Sequence, residues 1–233
     1  MTPTLASSVA PTWLHTLAVT FLVLAGVCAV VIIVDVRRYR PRMAVMAWVW
    51  PITALYLGPF GLAFYWFVGR RTSPRYLEEH GERRFPYWVR VGVSATHCGG
   101  GCTLGDLLAE TLIYVAGITL LGVALFTSYA FDYVFAVVLG IAFQFAAIRG
   151  MSRLPFRTTL GRAAKADVIS LTAFEIGLFT WMALMFWVFF PNPHLEPNEA
   201  TYWFLMQIGM AIGLATSYPA NVILIHTGIK EAM

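Results

Sequence analysis

Six apolar runs divide the chain, at residues 13–34, 43–68, 104–126, 133–148, 168–190 and 202–225. A helix rises about 1.5 Å per residue, so roughly 20 apolar residues cross the ~30 Å hydrocarbon layer of a bilayer. Each run reaches or approaches that length. The pattern predicts an all-α fold, a polytopic integral membrane helical bundle. The second run is interrupted, with Pro51 and Pro59 beside Gly58 and Gly61. Proline removes a backbone donor and glycine weakens the helix. Two readings follow. The run is a kinked sixth span, which its length favours, or a re-entrant hairpin that leaves five spans. The organisation expected is an N-terminal membrane anchor-like helical pair over residues 1–71, a basic cytoplasmic loop over 72–95, and a four-helix membrane domain over 96–233.

Composition agrees with a lipid environment. The chain is 59% hydrophobic and 12% charged, with a mean hydropathy of +0.70, whereas a soluble domain carries about 25% charged residues. No large soluble domain fits between the runs. The first run follows neutral sequence and has no cleavage pattern before polar sequence, so it is expected to be a retained span.

Charge placement sets the expected orientation. The 16 lysines and arginines fall at residues 37–42, 70–90, 149–165 and 230. The connections near residues 127–132 and 191–201 hold none. The positive-inside rule places the basic segments in the cytoplasm and the neutral connections outside. The expected location is a bacterial inner membrane, multi-pass, with a cytoplasmic C-terminus. The net charge of +4 reflects this topology and implies no nucleic-acid partner. The lipid bilayer and a metal ion are the partners indicated, and self-association into a homo-oligomer is open.

The candidate chemistry lies at Thr96-His-Cys-Gly-Gly-Gly-Cys-Thr-Leu-Gly-Asp106 and at Glu110. On a helix, Cys98, Cys102, Asp106 and Glu110 recur every four residues and share one slowly drifting stripe. The glycine triplet is expected to fold tightly at the mouth of a span, letting Cys98 and Cys102 converge, and a helix N-terminus would lower their thiol pKa. Counted from Leu104 and Asp167, Glu110 and Glu175 are expected ~9 Å and ~12 Å from the cytoplasmic ends of their helices. Asp167 and Glu175, eight residues apart, share a helix face. Carboxylates at such depth are expected to face the bundle interior, since each costs roughly 2.5–3.5 kcal/mol as an anion facing lipid. Thiolate with imidazole selects copper(I) or zinc(II) before magnesium or calcium. The metal donors expected are His97, Cys98 and Cys102, joined by Asp106, Glu110 and Glu175 as further ligands or proton carriers. The function expected is transition-metal transport or handling. A membrane thiol oxidoreductase using Cys98 and Cys102 and a non-catalytic membrane-complex scaffold are the alternatives, which leaves enzymatic activity open. Met182, Met185, Met206 and Met210 fall near His194 in the outer half, where they suit core packing or a copper path.

The segments 96–106, Met151-Ser-Arg-Leu-Pro-Phe-Arg through Lys165-Ala-Asp167, and Glu196-Pro-Asn-Glu-Ala-Thr-Tyr-Trp203 through Ser217-Tyr-Pro-Ala-Asn221 resemble an uncharacterised family of bacterial membrane proteins, catalogued as a domain of unknown function. The resemblance covers residues 90–233 and implies a membrane fold without naming an activity. Residues 13–71, with Ala47-Trp48, a Pro-Gly break and Gly69-Arg-Arg71, are similar to the membrane anchor of bacterial cardiolipin synthases. The His-x-Lys motif of those enzymes is absent, so this likeness implies an anchor and no lipid chemistry.

Overall fold

A computed structural model describes residues 9–81, 84–120, 122–151 and 154–231. Ser152 and Arg153, part of the second basic loop, lie outside the described residues, as do Glu82 and Arg83 of the first. Every regular element among the described residues is helical: α1 (Thr12–Arg38), α2 (Met46–Leu57), α3 (Pro59–Phe64, continued by a wider turn Tyr65–Gly69), α4 (Pro74–His80), α5 (Tyr87–Ala116), α6 (Ala124–Met151), α7 (Phe156–Leu184, continued by a wider turn Met185–Phe189) and α8 (Ala200–His226). Among the described residues, four segments are long and apolar enough to cross a membrane: Thr12–Arg38, Ala124–Gly150, Phe156–Phe189 and Ala200–His226. At 30 residues, α5 is about 45 Å long. Its lower hydropathy reflects the polar stripe it carries through the centre of the bundle.

The second apolar run folds back on itself, so it is not one kinked through-going helix. Gly58 ends α2 at φ 55°, a left-handed conformation that glycine adopts without a Cβ clash. The reversal is tight, because a Cβ on Gly61 would stand 2.8 Å from the Ala54 Cα. Trp50 packs edge-on against Phe64 at 5.6 Å and Tyr65 at 5.7 Å. The returning arm of the hairpin is then tied to the end of α1. The Tyr65 hydroxyl donates to Asp35 Oδ2 at 2.8 Å, and Arg70 sits 3.7 Å from the same oxygen and 4.2 Å over the Tyr39 ring. The tip at Gly58 lies against Phe21, fourteen residues up α1 from Asp35, or ~21 Å.

Two other boundaries move. The third apolar run becomes helical at Tyr87 rather than Leu104, because Pro86 precedes the first turn and Val89, Val91 and Val93 are buried. The neutral connection falls at residues 117–123 rather than 127–132. Gly117 closes α5 at φ 61° and Gly122 turns at φ 71°, so α6 starts earlier and takes up Ser128 and Asp132.

The bundle thereby acquires a basic end and a neutral end. Among the described residues, every lysine and arginine belongs to a segment at the first, and the second holds the connections 117–123 and 190–199, whose sequence carries none.

The glycine triplet works as a packing surface inside α5 and not as a hinge. A Cβ on Gly101 would meet Gly140 Cα at 2.8 Å, and one on Gly105 would meet the Ala136 nitrogen at 2.6 Å. Small residues let membrane helices approach this closely. Gly105→Val is therefore expected to lower stability by ~1–3 kcal/mol through overpacking, read as a lower thermal midpoint in detergent. Gly161→Ala, with nothing within 4 Å, should leave the midpoint unchanged or raise it.

Candidate functional site

The four-residue repeat of α5 survives as one interior stripe. Cys98, Cys102, Asp106 and Glu110 are 1%, 0%, 0% and 2% exposed. Depth differs from the expectation because the helices begin earlier. Cys98 and Asp167 each stand eleven residues from the start of their helices, Tyr87 and Phe156, or ~17 Å from the basic end. Asp106 and Glu175 each stand nineteen residues in, or ~29 Å. Glu110 and Glu175 thus occupy the neutral half, not the basic half. Glu110 is six residues from Ala116, ~9 Å from the neutral end.

Antiparallel packing of α5, α6, α7 and α8 brings further groups to this stripe. Asp167 faces Cys98 and the Lys230 ammonium, with Nζ 3.7 Å from Oδ1. Lys230 arrives from beyond α8, where the amides of Ile229 and Lys230 both donate to the Leu224 carbonyl and fold the chain end inward. Glu175 lies beside Cys102. Asp106 is within electrostatic reach of Glu175 and Glu110. Asp132, eight residues into α6, faces Glu110, and Tyr202 of α8 stands next to the same carboxyl. From the hairpin, Tyr56 reaches the two cysteines.

The result is a line of acids and thiols that runs from Asp167 and Cys98 through Cys102, Asp106 and Glu175 to Asp132 and Glu110. It extends ~18 Å along α5. Five buried carboxyl groups on it stand against one buried ammonium among the described residues. Both oxygens of Asp106 have no hydrogen-bond partner, Glu175 has the Cys102 thiol beside it, and Glu110 has Asp132 and Tyr202. Among the described residues no cationic side chain pairs with any of these four, and a buried carboxylate without a counter-charge is costly, so each of these groups must hold a proton or a cation.

His97 does not join the line. Adjacent residues on a helix point about 100° apart, and His97 turns toward Phe143, whose ring centroid is 6.5 Å away. Among the described residues, no three His, Cys, Asp or Glu side chains converge as a ready-made metal cage. Of the six donors expected from sequence, Cys98, Cys102, Asp106, Glu110 and Glu175 lie on one seam, but strung along it rather than clustered. Asp132 and Lys230 were not expected there. Asp132 fell in a stretch read as an outer connection, and Lys230 read as a topological marker near the chain end.

At the neutral end the seam opens into a cavity of about 360 Å³ with Glu110, Met182, Met185, His194, Tyr202 and Met206 in its wall. At the basic end a separate hollow of about 520 Å³ lies between the hairpin and α5, with Arg42, Arg84 and Arg90 around an apolar floor.

No curated protein and no solved structure matches the chain. A family model described as a domain of unknown function, DUF4396, matches residues 87–230. That span runs from the first residue of α5 to Lys230 and contains every acid, thiol and ammonium of the seam. The chain is a member of the DUF4396 family.

Proposed function

We propose that the protein is a transition-metal transporter of the bacterial inner membrane, in which a copper(I) or zinc(II) ion moves along the buried seam of α5. One observation carries the reading: a file of interior carboxyl and thiol groups, with Lys230 as the one buried ammonium among the described residues, links the neutral-end cavity to the basic half of the bundle. Groups of that kind demand positive charge. The thiols of Cys98 and Cys102 favour a soft or borderline ion over magnesium or calcium. Donors placed in ones and twos suit transit, because conduction requires sites weak enough to leave as well as enter. With five crossings, α1 and α5 to α8, and the α2–α3 hairpin re-entrant, the positive-inside rule would put all basic segments and the C-terminus in the cytoplasm. The thiol-exchange alternative has less support, since both sulfurs are shut inside the bundle and exchange needs an accessible thiolate.

Binding is the direct test. Equilibrium dialysis of the detergent-purified full chain against zinc(II), and separately copper(I), should give saturable uptake that falls in Cys98→Ser/Cys102→Ser and in Glu175→Gln. Absence of binding to the wild type, together with a Cys98–Cys102 disulfide detected by mass, would move the assignment to thiol redox chemistry. The topology has its own check. Single cysteines introduced near residues 40 and 78 should be labelled from the same side of the membrane, and one near residue 196 from the other. Opposite labelling at 40 and 78 would remove the re-entrant hairpin.

A further inference from the structure

The neutral-end cavity contains three of the chain's nine methionines. Met182 and Met185 come from α7 and Met206 from α8, and all three are buried. Beneath them stands Glu110, 2% exposed. His194 is at the mouth, its ring stacked 3.6 Å from Phe186 and its Nδ1 2.8 Å from the Phe190 carbonyl oxygen. A carbonyl only accepts, so Nδ1 carries a proton, and in the neutral ring Nε2 is the nitrogen that offers a lone pair. Packing alone accounts for methionine in a core. It does not account for three thioethers, an imidazole and a buried carboxyl, which has no cationic partner among the described residues, around one open space.

We infer that this cavity is a recognition site for a soft monovalent d¹⁰ ion, copper(I) or its analogue silver(I), held by the Met182, Met185 and Met206 thioethers and the His194 Nε2, with Glu110 as the next station inward. Thioethers bind such ions and discriminate against zinc(II). The space is wider than a bare ion needs, and unbranched methionine side chains, with three rotatable bonds each, are able to close around it. His194 is exposed and would meet the ion first. The buried thioethers would then strip its water, and Glu110, beside Asp132, would pass it to the acid seam. No electron changes hands; one set of donors replaces another. The inference deepens the transport reading and rests on it for direction of travel, but the binding site stands or falls by itself.

The test uses the full chain in detergent with Cys28, Cys98 and Cys102 replaced by serine, so that silver(I) cannot report thiols. Equilibrium dialysis with silver(I) is expected to give one saturable site per chain that excess zinc(II) does not displace. The volume-conserving Met182→Leu/Met185→Leu/Met206→Leu variant should bind at least about tenfold more weakly. A second readout does not depend on that variant folding. Bound silver(I) should shield Met182, Met185 and Met206 from peroxide oxidation, mapped by peptide mass, while Met43 and Met46 oxidise at their silver-free rates. Unchanged affinity in the leucine variant, or equal oxidation of the three methionines with and without silver, would overturn the site. A silver site that needs the methionines, in a protein that moves no metal across vesicles, would retain the site and sink the transport reading. Metal flux undiminished by the leucine substitutions, with unchanged silver affinity, would do the reverse.

Discussion

Asp106→Asn is expected to reduce transition-metal flux at least about tenfold, equivalent to ~1.4 kcal/mol or more, while the metal-free protein melts at or above the wild-type temperature. The two effects have one cause. Asp106 is fully buried, both its oxygens lack partners, and Glu175 and Glu110 press on it electrostatically. An amide of the same shape removes the charge that a passing cation needs. It also removes a group that is costly to bury when no cation is there. Sites held in reserve for a ligand commonly trade stability for function in this way. A carboxyl that only tied helices together would give the opposite signature, a lower melting temperature with transport following protein yield. Flux into vesicles and thermal unfolding of the same preparation distinguish the two.

Lys230→Met is the second large effect, and it acts on stability. The ammonium and the Asp167 carboxylate are 0% and 1% exposed and 3.7 Å apart, with the Ser94 carbonyl 3.5 Å from Nζ. Removing one partner of a buried pair strands the other, at a cost of ~3–5 kcal/mol. Replacing both by neutral residues avoids that cost. Lys230→Met/Asp167→Asn should therefore recover most of the stability that Lys230→Met loses, in denaturation followed by helical signal in detergent. Equal loss in the single and double variants would mean that Lys230 contributes by packing its stem and not by neutralising Asp167. The pair also explains why α8 does not simply end in solvent: the turn after His226 bends the chain so that Lys230 enters the bundle.

Much of this arrangement was legible in the sequence, and the failures share a physical origin. Hydropathy located the long apolar helices because lipid exposure demands apolar side chains over a fixed length. The four-residue repeat from Cys98 to Glu110 placed those groups on one face because helical geometry alone decides it. What hydropathy could not mark was where a helix begins when its first turns are buried by neighbours and not by lipid. Tyr87 to Thr103 is glycine-rich and short of long aliphatic side chains, so it falls outside the apolar run, yet it is helical and packs closely, with Gly101 against the α6 backbone. That shift of seventeen residues moved Glu110 from one half of the bundle to the other. The interrupted second run had the correct breakers, Pro59 with Gly58 and Gly61, but length favoured a crossing. The reversal is settled by tertiary contacts, Trp50 on Phe64 and Tyr65 on Asp35. Asp132 and Lys230 were beyond periodicity altogether, since only the pairing of α6 and the folded chain end with α5 and α7 brings them to the seam.

The central claim, that the seam conducts a transition-metal ion, is tested most directly by metal uptake into proteoliposomes holding the full chain. Inductively coupled plasma mass spectrometry of washed vesicles would follow zinc(II) and copper(I) under gradients and membrane potentials of either sign. The account predicts uptake above protein-free vesicles for at least one of the two ions, lost in Asp106→Asn vesicles carrying the same amount of folded protein. Wild-type vesicles indistinguishable from protein-free ones for both ions, under every gradient, would contradict it.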